Sequence, residues 1–487
     1  MTSYEPIAAG AWLVKRLNRN YSMQLKLLFP WVFLALPLLA EPARIVITDR
    51  GATGDGATVN TQAIQAAIDT CAAAGGGVIV VPKGTFLSGA LYFKQGVNLH
   101  VEKDGVLKST IAMADFPPIY TRWEGLERYW TSAFLNFVGM HDVEVNGEGV
   151  IDGSGDAWTS ANPRPRRLPT DGASRPVDAE QPVPLPKLED VYQKPFPTTA
   201  TICLVSDPAK MPRINAAGLA LPRDWNRMGP PRSLVFQNCT NVRVSGLTLK
   251  NQARWGFVFI YCENVVAEKL TVRAEHNIPS SDSMDIDSCR HMLVTGCDLD
   301  CNDDCISIKS GKDEDGRRVN RPCEDIVIEK TRFGFGHGGA AMGSETSGGI
   351  RNVEVRDCIV EAGNLSPIRF KSQPSRGGVV ENIVYRNIEL RDVRQAFEFN
   401  LEWNMKINVA GDTRVPPVVR NVKFINIHGT AYEAGTIHGI VDSFIDGVTF
   451  ENCDVTARHG LVIDNARNID TSGLKLHVTE GEPIIRR

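Results

Sequence analysis

A short pattern recurs along this chain and restricts its fold more than any other feature. A cysteine or aliphatic residue is followed by one residue, then usually by Asn or Asp, then by an aliphatic residue. It reads Cys239-Thr-Asn-Val242, Cys262-Glu-Asn-Val265, Cys289-Arg-His-Met292, Cys323-Glu-Asp-Ile326, Ile350-Arg-Asn-Val353, Val380-Glu-Asn-Ile383, Val419-Arg-Asn-Val422, Ile445-Asp-Gly-Val448 and Ala466-Arg-Asn-Ile469. The closing aliphatic residues step by 23, 27, 34, 27, 30, 39, 26 and 21 positions. Each copy leads into a short alternating strand such as Val242-Arg-Val-Ser or Val353-Glu-Val-Arg. A repeat of this length without long 3.6-periodic segments predicts a solenoid of strands. The expected fold is all-β: a single-stranded right-handed parallel β-helix, with aliphatic residues inside and Asn or Asp at the bends. Earlier coils show at Val97-Asn-Leu and Val143-Glu-Val.

The two ends and one interruption complete the layout. Residues 61–74 are expected to form a short helix that caps the N-terminal end of the stack. Thr61 is its N-cap, Ile64, Ala67 and Ile68 its apolar face, and Gly75-Gly76-Gly77 its stop. Ahead of it, Lys15, Arg16, Arg19 and Lys26 precede an apolar run from Leu27 to Leu39 that ends at Ala40. This is the pattern of a secretory signal over residues 1–40, with Met23 as an alternative start, and the run is short for a membrane span. Residues 41–487 then form one domain, secreted or periplasmic and without lasting membrane association. Between about 153 and 230 the repeat stops in a Pro- and Arg-rich stretch, expected to be an insertion flanking the binding face. The eleven cysteines are an odd number without paired Cys-x-x-Cys spacing, so a zinc site is not expected and stacked core cysteines are. A net charge of −4 excludes a general nucleic-acid binder.

Polar chemistry concentrates between residues 279 and 371. Asp282, Asp285 and Asp287 fall within six residues, and Asp303 and Asp304 follow about one coil later. Coil spacing places Asp282 beside the Asp303–Asp304 pair. Crowded carboxylates raise at least one pKa, which supplies one acid and one base for glycoside hydrolysis. Calcium binding and plain acidic turns are alternative readings of the same residues. The next coils add His337 between glycines and then Arg369-Phe370-Lys371, whose two cations share one strand face and suit an anionic sugar.

In order, Ser280-Ser-Asp-Ser-Met-Asp285, Asn302-Asp-Asp304, Gly336-His-Gly338 and Arg369-Phe-Lys371 resemble the four signature segments of the polygalacturonase family, glycoside hydrolase family 28. The run from Lys330 to Ser344 is also similar to the family's histidine signature, and the resemblance extends to Gly51-Ala-Thr-Gly-Asp-Gly56. It implies an enzyme that hydrolyses α-1,4 bonds of galacturonic-acid polymers with inversion, without metal or other cofactor, acting on pectin as a monomer. Asp303 would be the general acid and Asp282 with Asp304 would activate water. His337 would tune the acid, and Arg369 and Lys371 would bind the galacturonate carboxylate. The family's Asn-Thr-Asp is Ser280-Ser281-Asp282 here, and its following glycine is Ser283. Where many members carry a tyrosine, this chain reads Phe397-Glu-Phe-Asn-Leu-Glu-Trp403, so Trp403 is a candidate sugar platform, with a core position as the alternative. Trp255 is expected to be structural.

Three rival readings use the same scaffold: a rhamnogalacturonan or xylogalacturonan hydrolase, a calcium-dependent pectate lyase, and a non-catalytic carbohydrate binder. The ordered site residues favour hydrolysis, with a mildly acidic optimum. The long insertion favours exo over endo cleavage.

Overall fold

The computed structural model describes residues 43–161, 229–403 and 414–487. The proposed signal segment and most of the 153–230 insertion lie outside them. Strands pair in parallel from coil to coil in three ladders, and the architecture is the expected right-handed parallel β-helix. One ladder runs through Leu234–Gln237, Phe257–Ile260, Met284–Asp287, Asp304–Lys309, Gly336–Met342 and Asn364–Lys371. A second carries the repeated pattern, through Thr240–Ser245, Glu263–Glu268, Arg290–Thr295 and Cys323–Glu329. The third runs through Thr248–Lys250, Thr271–Arg273 and Asp298–Asp300.

The structure explains the repeated pattern residue by residue. Its third position turns the chain with positive φ: Asn241 (55°), Asn264 (57°), Asp325 (57°), Asn352 (56°), Asn382 (57°) and Asn421 (55°). Among non-glycine residues, Asn and Asp tolerate this left-handed conformation best. The side chains also bond along the axis, as Asn264 donates to Asn241 at 3.2 Å and Asn382 to Asn352 at 3.2 Å. The pattern's first and fourth positions point inward. Cys239, Cys262, Cys289 and Cys323 stack under one another, and Val242, Val265, Met292 and Ile326 form the neighbouring buried row. All ten cysteines among the described residues are buried and free, which fits the stacked reading. Aromatic rows fill the interior as well: Phe137, Phe236 and Phe259 stack at 4.7 and 5.1 Å.

The capping helix spans Thr61–Ala73 and buries Ile64, Ala67, Ile68 and Cys71. Its N-cap is Asn60, not Thr61. The Asn60 carbonyl accepts the first intrahelical bond from Ile64, and its side chain is spent on the preceding loop, donating to the carbonyls of Thr53 and Thr58. Thr61 instead accepts a bond from the Gly89 amide at 2.7 Å.

Candidate active site

Side chains alternate along each strand between the interior and the outside. On Met284–Asp287, Met284 and Ile286 enter the core, so Asp285 and Asp287 face outward. Met284 pairs with Ile306, and Asp304 pairs with Gly338. The same register sets Asp282 over Asp304, one position along from Asp303. Asp303 lies in the turn that leads into Asp304–Lys309. At least one carboxylate oxygen of Asp282, Asp303 and Asp304 lies within 4.8 Å of the others. The structure therefore brings together the three acids that the sequence argument placed side by side.

Their environments differ sharply. Asp282 and Asp304 are buried, while the Asp303 side chain keeps 26% of its surface exposed. Asp303 Oδ1 accepts from the Asp304 amide at 3.1 Å and lies 3.2 Å from His337 Nδ1. Gly338 leaves room for this packing: a Cβ there would stand 2.7 Å from Asp304 Oδ1. The Gly-His-Gly segment thus permits close approach of backbone and carboxylate.

The two predicted cations sit on the same wall. Lys371 Nζ bonds Asp304 Oδ2, and Arg369 Nη1 lies 3.4 Å from Asp304 Oδ1. Arg369 Nε also pairs with Glu398 at 2.8 Å. Trp403 is half-buried beside them, with the Arg369 guanidinium 4.6 Å and the Lys371 ammonium 5.6 Å from its ring. It belongs to the site wall and not to the core. Trp255 is buried against Trp123, as its structural reading expected.

This arrangement separates the protonation preferences of the acids. Burial pushes the Asp282 carboxyl well up, and the charges of Asp285 and Asp303 push it further. Burial acts the same way on Asp304, but Lys371 and Arg369 outweigh it and hold that carboxyl below the ordinary range. The hydrogen bond to Asp303 raises the His337 imidazole against a smaller opposing effect of burial. One site therefore favours a neutral carboxyl and an ionised one a few ångströms apart. The trio is also the one cluster among the described residues with metal-ligand spacing. Both oxygens of Asp304 already face cations, so this set suits sugar and water better than a divalent ion.

Three contributors went unread in the sequence. Lys309 is buried, 3.1 Å from Glu345 and 3.5 Å from Asp285, and Glu398 anchors Arg369. The outward alternation in Ser307-Ile-Lys309 and Phe397-Glu-Phe399 carried the signal for two of them; Glu345 had none beyond its nearness to the histidine segment. A hairpin was also missed. Pro118–Trp123 and Leu126–Thr131 pair antiparallel around Glu124 and Gly125, both with positive φ (46° and 79°). Two such residues make a tight two-residue hairpin turn.

Fold and site together define a class: a parallel β-helix that sets three carboxylates, a histidine and a cation pair on one outward face. The model of glycosyl hydrolases family 28 matches residues 224–473, a little over half of the 487-residue chain. The chain belongs to that family. A second model, rhamnogalacturonase A/epimerase, pectate lyase-like, matches residues 44–109. The exo-poly-alpha-D-galacturonosidase of Dickeya chrysanthemi is 28% identical over 372 residues, which are 73% of this chain and 56% of that protein. The chain thus spans little more than half the length of that relative. A probable polygalacturonase of Vitis vinifera is 24% identical, over 86% of this chain and 75% of its own. Among solved structures, the exopolygalacturonase of Thermotoga maritima superposes with a TM-score of 0.65 at 26% identity, covering 92% of this chain and 93% of its own. The family 28 exopolygalacturonase of Yersinia enterocolitica gives a TM-score of 0.69 at 21% identity, covering 92% and 77%.

Proposed function

We propose that this protein hydrolyses the α-1,4 bonds of galacturonic-acid polymers of the pectin type, releasing products from chain ends. The observation that carries the reading is the convergence of one partly exposed carboxyl, Asp303, with one carboxylate held ionised, Asp304, beside two cations. Asp303 alone of the three acids opens to the groove, so it delivers the proton to the glycosidic oxygen. Asp304 takes the proton of the attacking water. Asp282 fits the base role less well than the sequence suggested, because its surroundings favour the neutral form. Arg369 and Lys371 meet the sugar carboxylate, and Trp403 offers a face to the ring. Two relatives described as exo-acting support the chain-end reading.

The stereochemistry needs its own argument. Inverting enzymes ordinarily separate their two carboxyls by about 6.5 Å or more. Here one oxygen from each of the three carboxylates lies within 4.8 Å of the others, a closest-atom distance that is shorter than the separation of the carboxyl groups themselves. Inversion is favoured nonetheless, because both Asp304 oxygens are engaged by cations and are poorly placed to attack carbon. Proton NMR of the first product formed from a galacturonate oligomer tests this: the β anomer supports inversion, and the α anomer contradicts it. Parallel assays on polygalacturonate, rhamnogalacturonan and xylogalacturonan test the substrate; faster cleavage of a branched polymer would replace the proposed one. We also propose export through the 1–40 segment. No helix among the described residues is long and apolar enough to cross a membrane.

A further inference from the structure

The outward face of the β-helix changes character at one coil. On Leu234–Gln237 and Phe257–Ile260 three of the four outward residues, Val235, Val258 and Ile260, are apolar and buried, and the fourth, Gln237, is buried under the hairpin, where it accepts from Thr121 Oγ1 at 2.7 Å. From Met284–Asp287 onward the same row reads Asp285, Ser307, Ala341, Arg369 and Glu398. A sugar polymer can run over the second part; over the first it is blocked, because Val235, Val258 and Ile260 are buried in one cluster with Trp123. The apolar part is covered by the hairpin Pro118–Thr131. Trp123 packs on Trp255 with centroids 4.8 Å apart. The turn reaches as far as the catalytic coil, where the Lys312 amide donates to the Gly125 carbonyl at 3.0 Å. A Cβ on Gly125 would come within 2.9 Å of Glu345 Cγ.

Two buried arginines fix this hairpin: Arg232 donates to the Arg122 carbonyl at 2.9 Å and to Thr121 Oγ1 at 3.1 Å, and Arg122 ties it to the catalytic coil. The Arg122 guanidinium donates to Asp287 Oδ1 at 2.9 Å, to Ser288 Oγ at 2.8 Å and to the Gly125 carbonyl at 3.2 Å. Asp287 lies on the strand that directly follows Asp282, so the anchor is tied to the catalytic coil itself. Glu127 adds a further tie, accepting from Arg318 at 2.8 Å and from the Tyr261 hydroxyl at 2.8 Å.

We propose that Arg122 is a positioning residue that holds this hairpin as the end wall of the groove, so that polymer enters from one side and is cut only near its end. The inference rests on the hydrolase reading above and assigns the chain-end action to a named element. The test uses long polygalacturonate and two readouts, viscosity lost per reducing end formed and the length of the first products. The R122M/D287N double variant removes both charges together, so that neither is stranded in the interior. The wild type should release one short product from the start with little loss of viscosity. In the double variant, viscosity loss per bond should rise about tenfold with mixed oligomers, as expected when a one-ended pocket becomes an open cleft. A folded double variant with the wild-type pattern overturns the proposal, as does a wild type that yields mixed oligomers from the outset. Should the double variant not fold, E127Q must shift the pattern in the same direction by a smaller factor, and an unshifted pattern overturns the inference. A wild type that releases no reducing ends rejects the hydrolase reading and this inference with it.

Discussion

Asp303 and Asp304 are neighbours in the chain with opposite surroundings, and that contrast is the chemistry of the site at the residue scale. Asp304 depends on empty space at Gly338, so Gly338→Ala should displace it and lower kcat by roughly 10²-fold, the usual loss when an acid–base group is misplaced. Steady-state rates alongside an unchanged circular dichroism spectrum check this. The pH dependence follows from the directions of the shifts. Asp304 is held low, so the stability it adds is present above the unfolded value of about 3.9 and is lost as pH falls through its folded value. His337 is raised, so its contribution is complete below about 6.5 and is lost as pH rises through its folded value. Asp282 is raised too, so it subtracts stability progressively as pH rises above about 3.9, where the unfolded chain ionises first. The melting temperature should therefore peak in mildly acidic solution, and His337→Gln should flatten its decline on the alkaline side. An alkaline decline identical in the variant would contradict the His337 assignment. The trio, the histidine and both cations were legible because strand alternation and coil spacing fix which residues share a face. A split in protonation was expected, but which acid is pushed up and which held down was not legible, because that depends on which carboxylate Lys371 and Arg369 reach.

At the scale of elements, the turns carry the fold. Asn382 sits at φ 57° between Asn352 and Asn421 in the axial ladder. Asn382→Ala forces a Cβ-bearing residue without a side-chain partner into the left-handed region and should cost about 1–2 kcal/mol, whereas Asn382→Gly should cost less. Urea denaturation distinguishes the two, and equal losses would contradict the account. The repeat made these turns readable in advance. The capping helix was also readable, but its N-cap was misplaced by one residue because a Thr in the first turn and an Asn before it offer the same chemistry. The hairpin at 118–131 was not read at all. Its signal was the Glu124-Gly125 pair between two aromatic segments, and its partners, Trp255, Tyr261 and Asp287, lie more than a hundred residues away in sequence.

On the scale of the whole molecule, the β-helix acts as a rigid ruler. Each coil contacts its neighbours, so site residues more than eighty positions apart, from Asp282 to Lys371, are held on one wall by register alone. The ten described cysteines lie in the interior, and burial raises the thiols of Cys262, Cys323 and Cys358. The native protein should leave these thiols unreactive toward a thiol reagent until it is unfolded. Rapid labelling of any of these ten under native conditions, located by peptide mapping, would contradict the stacked interior. A chelator should leave the hydrolytic rate unchanged, since lysine and arginine already neutralise Asp304; a loss restored by calcium would contradict that. The central claim is that Asp303 protonates the bond that breaks. It is tested most directly by measuring reducing ends released from polygalacturonate by the wild type and by Asp303→Asn, with ultraviolet absorbance followed in the same cell. The wild type should release reducing ends without any gain in absorbance, and the variant should fall by about 10²-fold or more while melting as the wild type does. A variant with near-normal activity, or a product that absorbs as an unsaturated sugar, would contradict the account.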